Sequence, residues 1–540
     1  MKNIKLTAVS LFALIAIQAL SQNYVSKVWV ADNGNGTYKN PILYADYSDP
    51  DVCRVGDDYY MVTSSFNCVP GLPILHSNDM VNWSVVNYAL KIQTPRKVYD
   101  KIQHGNGVWA PSIRFHKGEY YIYWGDPDFG LYMIKTTDPK GDWSEPIMIK
   151  AGKGLEDCCP LWDEDGNAYL SHGFVGTRIG NKSILGLFRL SPDGTKTISE
   201  DKIIYDGHEN NPTIEGTKLY KRNGYYYIFA PAGGVSTGWQ LVLRSKNIWG
   251  PYEEKIVLAQ GKTNINGPHQ GAWVDTQTGE DWFFHFQDAG AYGRIVHLEP
   301  MVWKNDWPVI GDDKDGDGTG EPVATFKKPN VGKTYPIETP VENDEFSSLN
   351  LGLQWQWHAN PQPTWYFTNV AKGSLRLYSV YTDSLTNLWD APNLLLQKFP
   401  APEFTATTKL TFNPDKRYKG ERIAFIVMGE DYGMLSVENT DKGLFLYQTE
   451  CKNASKETFE KINVNTPITT NTIYLRIVVK EGGKCNFLYS LDGKEYLPFG
   501  LEFTAKAGRW IGAKIGYICQ RPQKSNDGGW ADIDWFSIDK

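Results

Sequence analysis

The 540-residue chain is poor in cysteine, in surplus positive charge and in long apolar runs. Its seven cysteines (53, 68, 158, 159, 451, 485 and 519) form no Cys-x-x-Cys pair and no Cys/His cluster. That excludes a disulfide-built scaffold and a thiolate metal site. The odd count leaves at least one thiol unpaired within the chain, and vicinal Cys158-Cys159 are expected to be buried structural thiols. Lys and Arg total 55 against 62 acidic residues, a formal net charge of −7. This argues against nucleic acid or an anionic membrane as partner. Beyond the N-terminus no stretch is apolar enough to cross a bilayer, so no membrane insertion is expected. Amphipathic helical periodicity is scarce, which points away from helical folds.

What the chain has in quantity is aromatic residues, with 19 Trp, 31 Tyr and 23 Phe. These suit strands. In the N-terminal part a turn carrying Gly or acidic residues, followed by an aromatic strand, recurs about five times. It reads Gly56-Asp57-Asp58-Tyr59-Tyr60, Gly118-Glu119-Tyr120-Tyr121, Gly166-Asn167-Ala168-Tyr169, Gly224-Tyr225-Tyr226-Tyr227 and Gly279-Glu280-Asp281-Trp282. The glycines lie roughly 48 to 62 residues apart, the period of a repeat array. Each unit fits a β-hairpin whose glycine supplies the left-handed turn. Sheets repeating at this period pack radially, so a five-bladed β-propeller is expected.

The N-terminus reads as a processing segment. Lys2 and Lys5 precede an apolar run, Leu6 to Leu20, followed by Ser21. This is a Sec signal peptide over residues 1–21, sending the protein to the periplasm or the exterior. The propeller is expected over 22–322. A linker stiffened by Pro329, Pro336 and Pro340 follows over 323–342. Short alternating strands over 343–540 predict an antiparallel β-sandwich. The whole is all-β. The sandwich is expected to pack on the propeller, with Trp355, Trp357, Trp365 or Tyr366 docking on the blades or walling a pocket.

Three acids stand in apolar or proline-constrained settings: Asp49 before Pro50, Asp126 before Pro127, and Glu215 in Ile214-Glu215-Gly216. Singly, each also suits a solvated loop. With their surroundings they become more specific. Ser48-Asp49-Pro50-Asp51-Val52, Gly71-Leu72-Pro73-Ile74-Leu75-His76-Ser77, Trp109-Ala110-Pro111, Ile214-Glu215-Gly216, Gly293-Arg294 and Asp306-Trp307-Pro308 together resemble glycoside hydrolase family 43. The match is to its β-xylosidase and α-L-arabinofuranosidase type with a C-terminal concanavalin-like sandwich.

The resemblance implies an exo-acting, inverting hydrolase that removes terminal α-L-arabinofuranosyl or β-D-xylosyl residues. Its partners would be plant hemicellulose or pectin side-chain oligosaccharides. It implies Asp49 as general base, Glu215 as general acid and Asp126 as the acid that tunes it, with Asp128 the competitor. Where many members carry the tuning Asp directly after Trp-Ala-Pro, this chain has Ser112. Phe66, Trp109, Arg294 and His269 are the implied substrate contacts. An inverting enzyme needs one carboxyl to protonate the leaving oxygen and one carboxylate to activate water. An endo-arabinanase and a non-catalytic carbohydrate-binding propeller are the alternatives. No cofactor is required. A structural calcium is allowed for, near His269 or at Asp313-x-Asp315-x-Asp317-Gly318, which is similar to half an EF-hand loop but has Ala324 where the bidentate Glu belongs.

Overall fold

The computed structural model describes residues 23–382 and 385–540, so the signal segment lies outside the described residues. Five four-stranded antiparallel sheets follow one another, each built from strands consecutive in sequence. Their first strands are Asp51–Val55, Trp109–His116, Leu155–Trp162, Lys218–Arg222 and His269–Asp275. Each lies against the neighbouring blade, which makes a five-bladed propeller. Gly56, Gly118, Gly166, Gly224 and Gly279 occupy the turns after these strands, at φ between +63° and +85°. A Cβ at any of them would meet open space, so the backbone angle, not crowding, calls for glycine.

The aromatic strands after those turns fill the seams between blades. Tyr59, Met61 and Trp83 of blade one pack with Trp282 and Phe284 of blade five. Cys158 and Cys159 face opposite seams, beside Tyr123 and Phe188 on one side and Ile214 and Ile228 on the other. All seven cysteines are free. Blade five is completed by its own strands, and the N-terminal segment straps the ring. Leu43 and Val296 exchange backbone hydrogen bonds of 3.1 and 3.3 Å, and Thr37–Lys39 pairs with Thr325–Lys327. Lys328 anchors the following stretch between Asp32 and Asp79, at 2.5 and 2.8 Å.

The C-terminal part is a sandwich of two eight-stranded sheets. Trp355, Trp357 and Trp365 lie in its interior with Phe425, Tyr517 and Phe536, and Tyr366 packs against that cluster. The expectation that one of these four walls the pocket is therefore corrected: their apolar bulk is used by the sandwich core. The main chain of Trp357 still pairs across the domain boundary with Val69, at 2.6 and 2.9 Å. Asn360 bonds Gln93 and Asp100, Gly512 N donates to Asp46 at 3.0 Å, and buried Lys514 reaches Cys68 Sγ at 3.0 Å. Among the described residues, no helix is long and apolar enough to cross a membrane.

Candidate active site

The inner strands open onto the central channel in one repeated way. Residue pairs Ser48-Asp49, Trp109-Ala110, Glu156-Asp157, Glu215-Gly216 and His269-Gln270 sit at corresponding points of the five blades. The second residue of every pair is left-handed, at φ +55°, +33°, +56°, +65° and +39°. Strand register shifts at three of these points, between Trp109 and Ser112, Glu156 and Cys159, and His269 and Gly271. Such bulges re-aim side chains, and left-handed non-glycine residues, each costing roughly 1–3 kcal/mol, gather where function requires them.

These openings surround a cavity of about 500 Å³, within the range of small-ligand sites. Asp49 lies at its floor, 3% exposed. Ser48 and Ser64 hydroxyls donate to Asp49 Oδ2 at 2.8 and 2.5 Å, and Arg294 reaches Oδ1 at 3.2 Å. Three donors thus orient this carboxyl as an acceptor. Glu215 opens to the cavity from the fourth blade, its Oε1 2.9 Å from His269 Nε2. Glu156, Asp157 and Glu215 bring carboxylate oxygens within 4.8 Å of one another. Burial, then the charges of Glu215 and Asp49, pushes Asp157 up to about 8. Glu156 is raised as well, by burial first and then by Asp157, Glu215 and Asp49.

The walls are aromatic. Phe66 and Trp109 meet edge to face, with centroids 6.2 Å apart. Trp510, from a sandwich loop, meets Trp109 at 6.1 Å and lies 5.6 Å from the Arg294 guanidinium. That loop docks on Gly105, where a Cβ would stand 2.5 Å from Arg509 and 2.8 Å from Trp510. The pocket is therefore closed on one side by the second domain.

A family model of glycosyl hydrolases family 43 matches residues 38–308, and a model of the beta xylosidase C-terminal concanavalin A-like domain matches 343–539. The chain belongs to glycosyl hydrolases family 43. It is 34% identical over 594 residues to a beta-xylosidase of Formosa agariphila, covering 99% of this chain and 97% of that protein. It is 29% identical to a non-reducing end alpha-L-arabinofuranosidase of Bacteroides ovatus, covering 93% and 94%. Among solved structures, a xylan beta-1,4-xylosidase from Bacillus halodurans C-125 superposes with a TM-score of 0.82 at 25% identity, covering 93% and 100%. This family 43 chain is accordingly a glycoside hydrolase.

Six of the seven residues expected from sequence line this cavity: Asp49, Glu215, Phe66, Trp109, Arg294 and His269. Asp126 does not. It ends the second strand of blade two, accepting from Tyr99 OH at 2.5 Å and from the amide of Asp128 at 3.1 Å. Burial pushes it up to about 7, and its Oδ2 is tied to Tyr99 at the end of the short helix Arg96–Tyr99. Asp128 pairs with Arg178 at 2.8 Å and is also off the lining. The acid beside Glu215 is Asp157, whose Oδ2 accepts from Gly216 N and Gln270 Nε2 at 2.7 and 3.1 Å. Its signal was the repeat phase: Asp157 precedes Gly166 much as Asp49 precedes Gly56.

Asp313, Asp315 and Asp317 also cluster, but Asp313 is paired with Lys304 at 3.2 Å and Lys314 with neighbouring Glu321 at 3.0 Å. Among the described residues, only Asp313 of the three is paired with a lysine, and the position of the bidentate glutamate is held by Ala324, so the donor set is half of a calcium loop. His269 Nδ1 is buried with no hydrogen-bond partner among the described residues.

Proposed function

We propose that this family 43 enzyme is exo-acting and inverting, and that it removes one terminal α-L-arabinofuranosyl or β-D-xylosyl residue from hemicellulose-derived oligosaccharides. The observation that carries the reading is the pocket itself. Asp49 and Glu215 come from different blades onto one cavity, and Trp510 walls one side of it, which supports a pocket for a chain end. In this reading Asp49 takes a proton from the attacking water and Glu215 protonates the departing oxygen. Asp157 replaces Asp126 as the acid beside Glu215, and is itself held protonated by burial and by the charges of Glu215 and Asp49. Three carboxyls within 4.8 Å cannot all ionise cheaply, so the cluster retains protons. Glu215, the member most open to the cavity, delivers one. Arg294 and His269 orient Asp49 and Glu215, while Phe66, Trp109 and Trp510 offer faces to the apolar side of the sugar. No metal is needed for these steps; an ion at His269 would be structural. The reading also places residues 1–21 as a signal that exports the enzyme.

Nitrophenyl α-L-arabinofuranoside and β-D-xyloside, assayed side by side, test the activity and rank the two sugars. Proton NMR of the first product tests the stereochemistry, since a retained anomer overturns water attack through Asp49. Only long products from linear arabinan would favour an endo-arabinanase. No release from any pentoside would favour a binding propeller.

A further inference from the structure

We infer that Glu156 recognises the sugar directly, as a hydrogen-bonding partner of one hydroxyl of the terminal residue, and so helps set which pentose is accepted. The inference rests on the hydrolase reading above and adds a residue to it.

Two independent features carry it. The first is position. Glu156 occupies the same point of blade three that Glu215 occupies in blade four, Trp109 in blade two and His269 in blade five. All four line the cavity. Each of them is followed by a left-handed residue. Gly125 lets the neighbouring strand approach the main chain here, since a Cβ on it would stand 2.8 Å from Glu156 Cα, and Gly173 packs beside the Glu156 side chain.

The second feature is the carboxyl's lack of partners. Glu156 is only 5% exposed, yet among the described residues it makes no hydrogen bond or ion pair. Every other acid around the site is held: Asp49 by serines and Arg294, Asp157 by Gly216 and Gln270, Glu215 by His269. Arg178, whose charge acts on Glu156, is engaged with Asp128 and Asn106, at 2.8 Å each. The Glu156 oxygens are not among the fully buried unpartnered atoms of the described residues, and Glu156 lines the cavity, so the carboxyl has a free face toward the space proposed for substrate.

The neutral form suits the task. Burial and the negative charge of Asp157, Glu215 and Asp49 favour it. A neutral carboxyl offers one donor and an acceptor, which complements a hydroxyl that also does both. A site built to bond a hydroxyl rejects the analogue that lacks it, because its own polar group is then stranded.

The test uses the full chain and whichever nitrophenyl pentoside it cleaves, together with the mono-deoxy analogues of that sugar. Wild type should lose roughly 10²-fold or more in kcat/KM on one deoxy analogue relative to the parent. Glu156→Met should lose roughly 10–100-fold on the parent, yet show no further loss on that same analogue. It should keep the wild-type penalties at the other positions. Glu156→Gln keeps a donor and an acceptor, so it should lose less than Met and alter the penalty at that one position only. If folded Met and Gln variants both leave every deoxy penalty as in wild type, the inference is overturned and Glu156 acts only through its charge or packing. Should the Met variant not fold, a Gln variant whose losses are uniform across the series overturns it as well. An inert wild type would overturn the hydrolase reading too, so the two failures are distinguishable.

Discussion

Asp157→Asn should make the protein more stable and less active, with the gain in stability depending on pH. Unfolded, the carboxyl ionises near 3.8; in the folded chain, burial and its acidic neighbours move it to about 8. Between those values the native state holds a proton that the unfolded chain has released. Stability from this group is therefore complete below about 3.8 and is lost as pH rises through about 8. The gap corresponds to at most ~6 kcal/mol at ~1.4 kcal/mol per pH unit. Glu156 is raised by the same surroundings, so the effect is shared and only part of it, ~2–3 kcal/mol, is expected from Asp157 alone. Asparagine removes the ionisation while keeping the contacts, because both hydrogen bonds fall on the single oxygen Oδ2. Urea denaturation of the two proteins at pH 4 and pH 8 measures the effect. The variant should match wild type near pH 4 and exceed it by ~2–3 kcal/mol near pH 8, while kcat/KM on a natural disaccharide falls by roughly 10²-fold or more. A variant that is destabilised at both pH values, or stabilised equally at both, would refute the argument that Asp157 is held protonated by its neighbours.

Other perturbations separate the remaining roles. Asp49→Asn should lower kcat on every glycoside by roughly 10²–10⁴-fold, with the melting temperature retained. Glu215→Gln should cost much less on a nitrophenyl glycoside than on a natural disaccharide, since the activated leaving group needs little protonation; equal losses would count against it as the acid. Trp510→Ala should raise KM for short substrates while leaving the fold intact, and an unchanged KM would remove Trp510 from the sugar's surroundings. A chain ending at residue 342 should lose activity and melt lower, because it exposes the buried seam at Val69, Gln93 and Cys68; a truncated protein with wild-type turnover and melting temperature would show the sandwich to be dispensable.

The propeller was legible because its glycines are dictated by local backbone geometry that any sequence must obey. The sandwich was legible for a similar reason, alternation along each strand. The pocket residues carried by distinct motifs, such as Ser48-Asp49-Pro50 and Gly293-Arg294, were also recoverable. Asp157 was not, because it stands in a run of buried residues, Glu156-Asp157-Cys158-Cys159, with no proline after it to mark a turn. Asp126 has that proline, but it ends a second strand, whereas Asp49 and Asp157 stand where a first strand begins. Local composition was similar; position within the blade differed. Trp510 was hidden for another reason. It lies hundreds of residues from the blades in sequence, and no local pattern marks a loop that folds back onto another domain. The other sandwich tryptophans are better placed by hydrophobic pattern and went to the interior instead.

The wall that Trp510 contributes separates two properties that enzymes often lodge together. On the proposed reading the propeller carries the bond-breaking groups, and the appended domain, through its loop at the pocket, is the ruler that limits how much polymer can enter. Substrate length is then decided at a seam between domains. Changes in the Arg509-Trp510 loop or its seat at Gly105 would retune chain-length preference without touching a single catalytic carboxyl. Any loosening of that seam would blur the measurement before it harmed the chemistry.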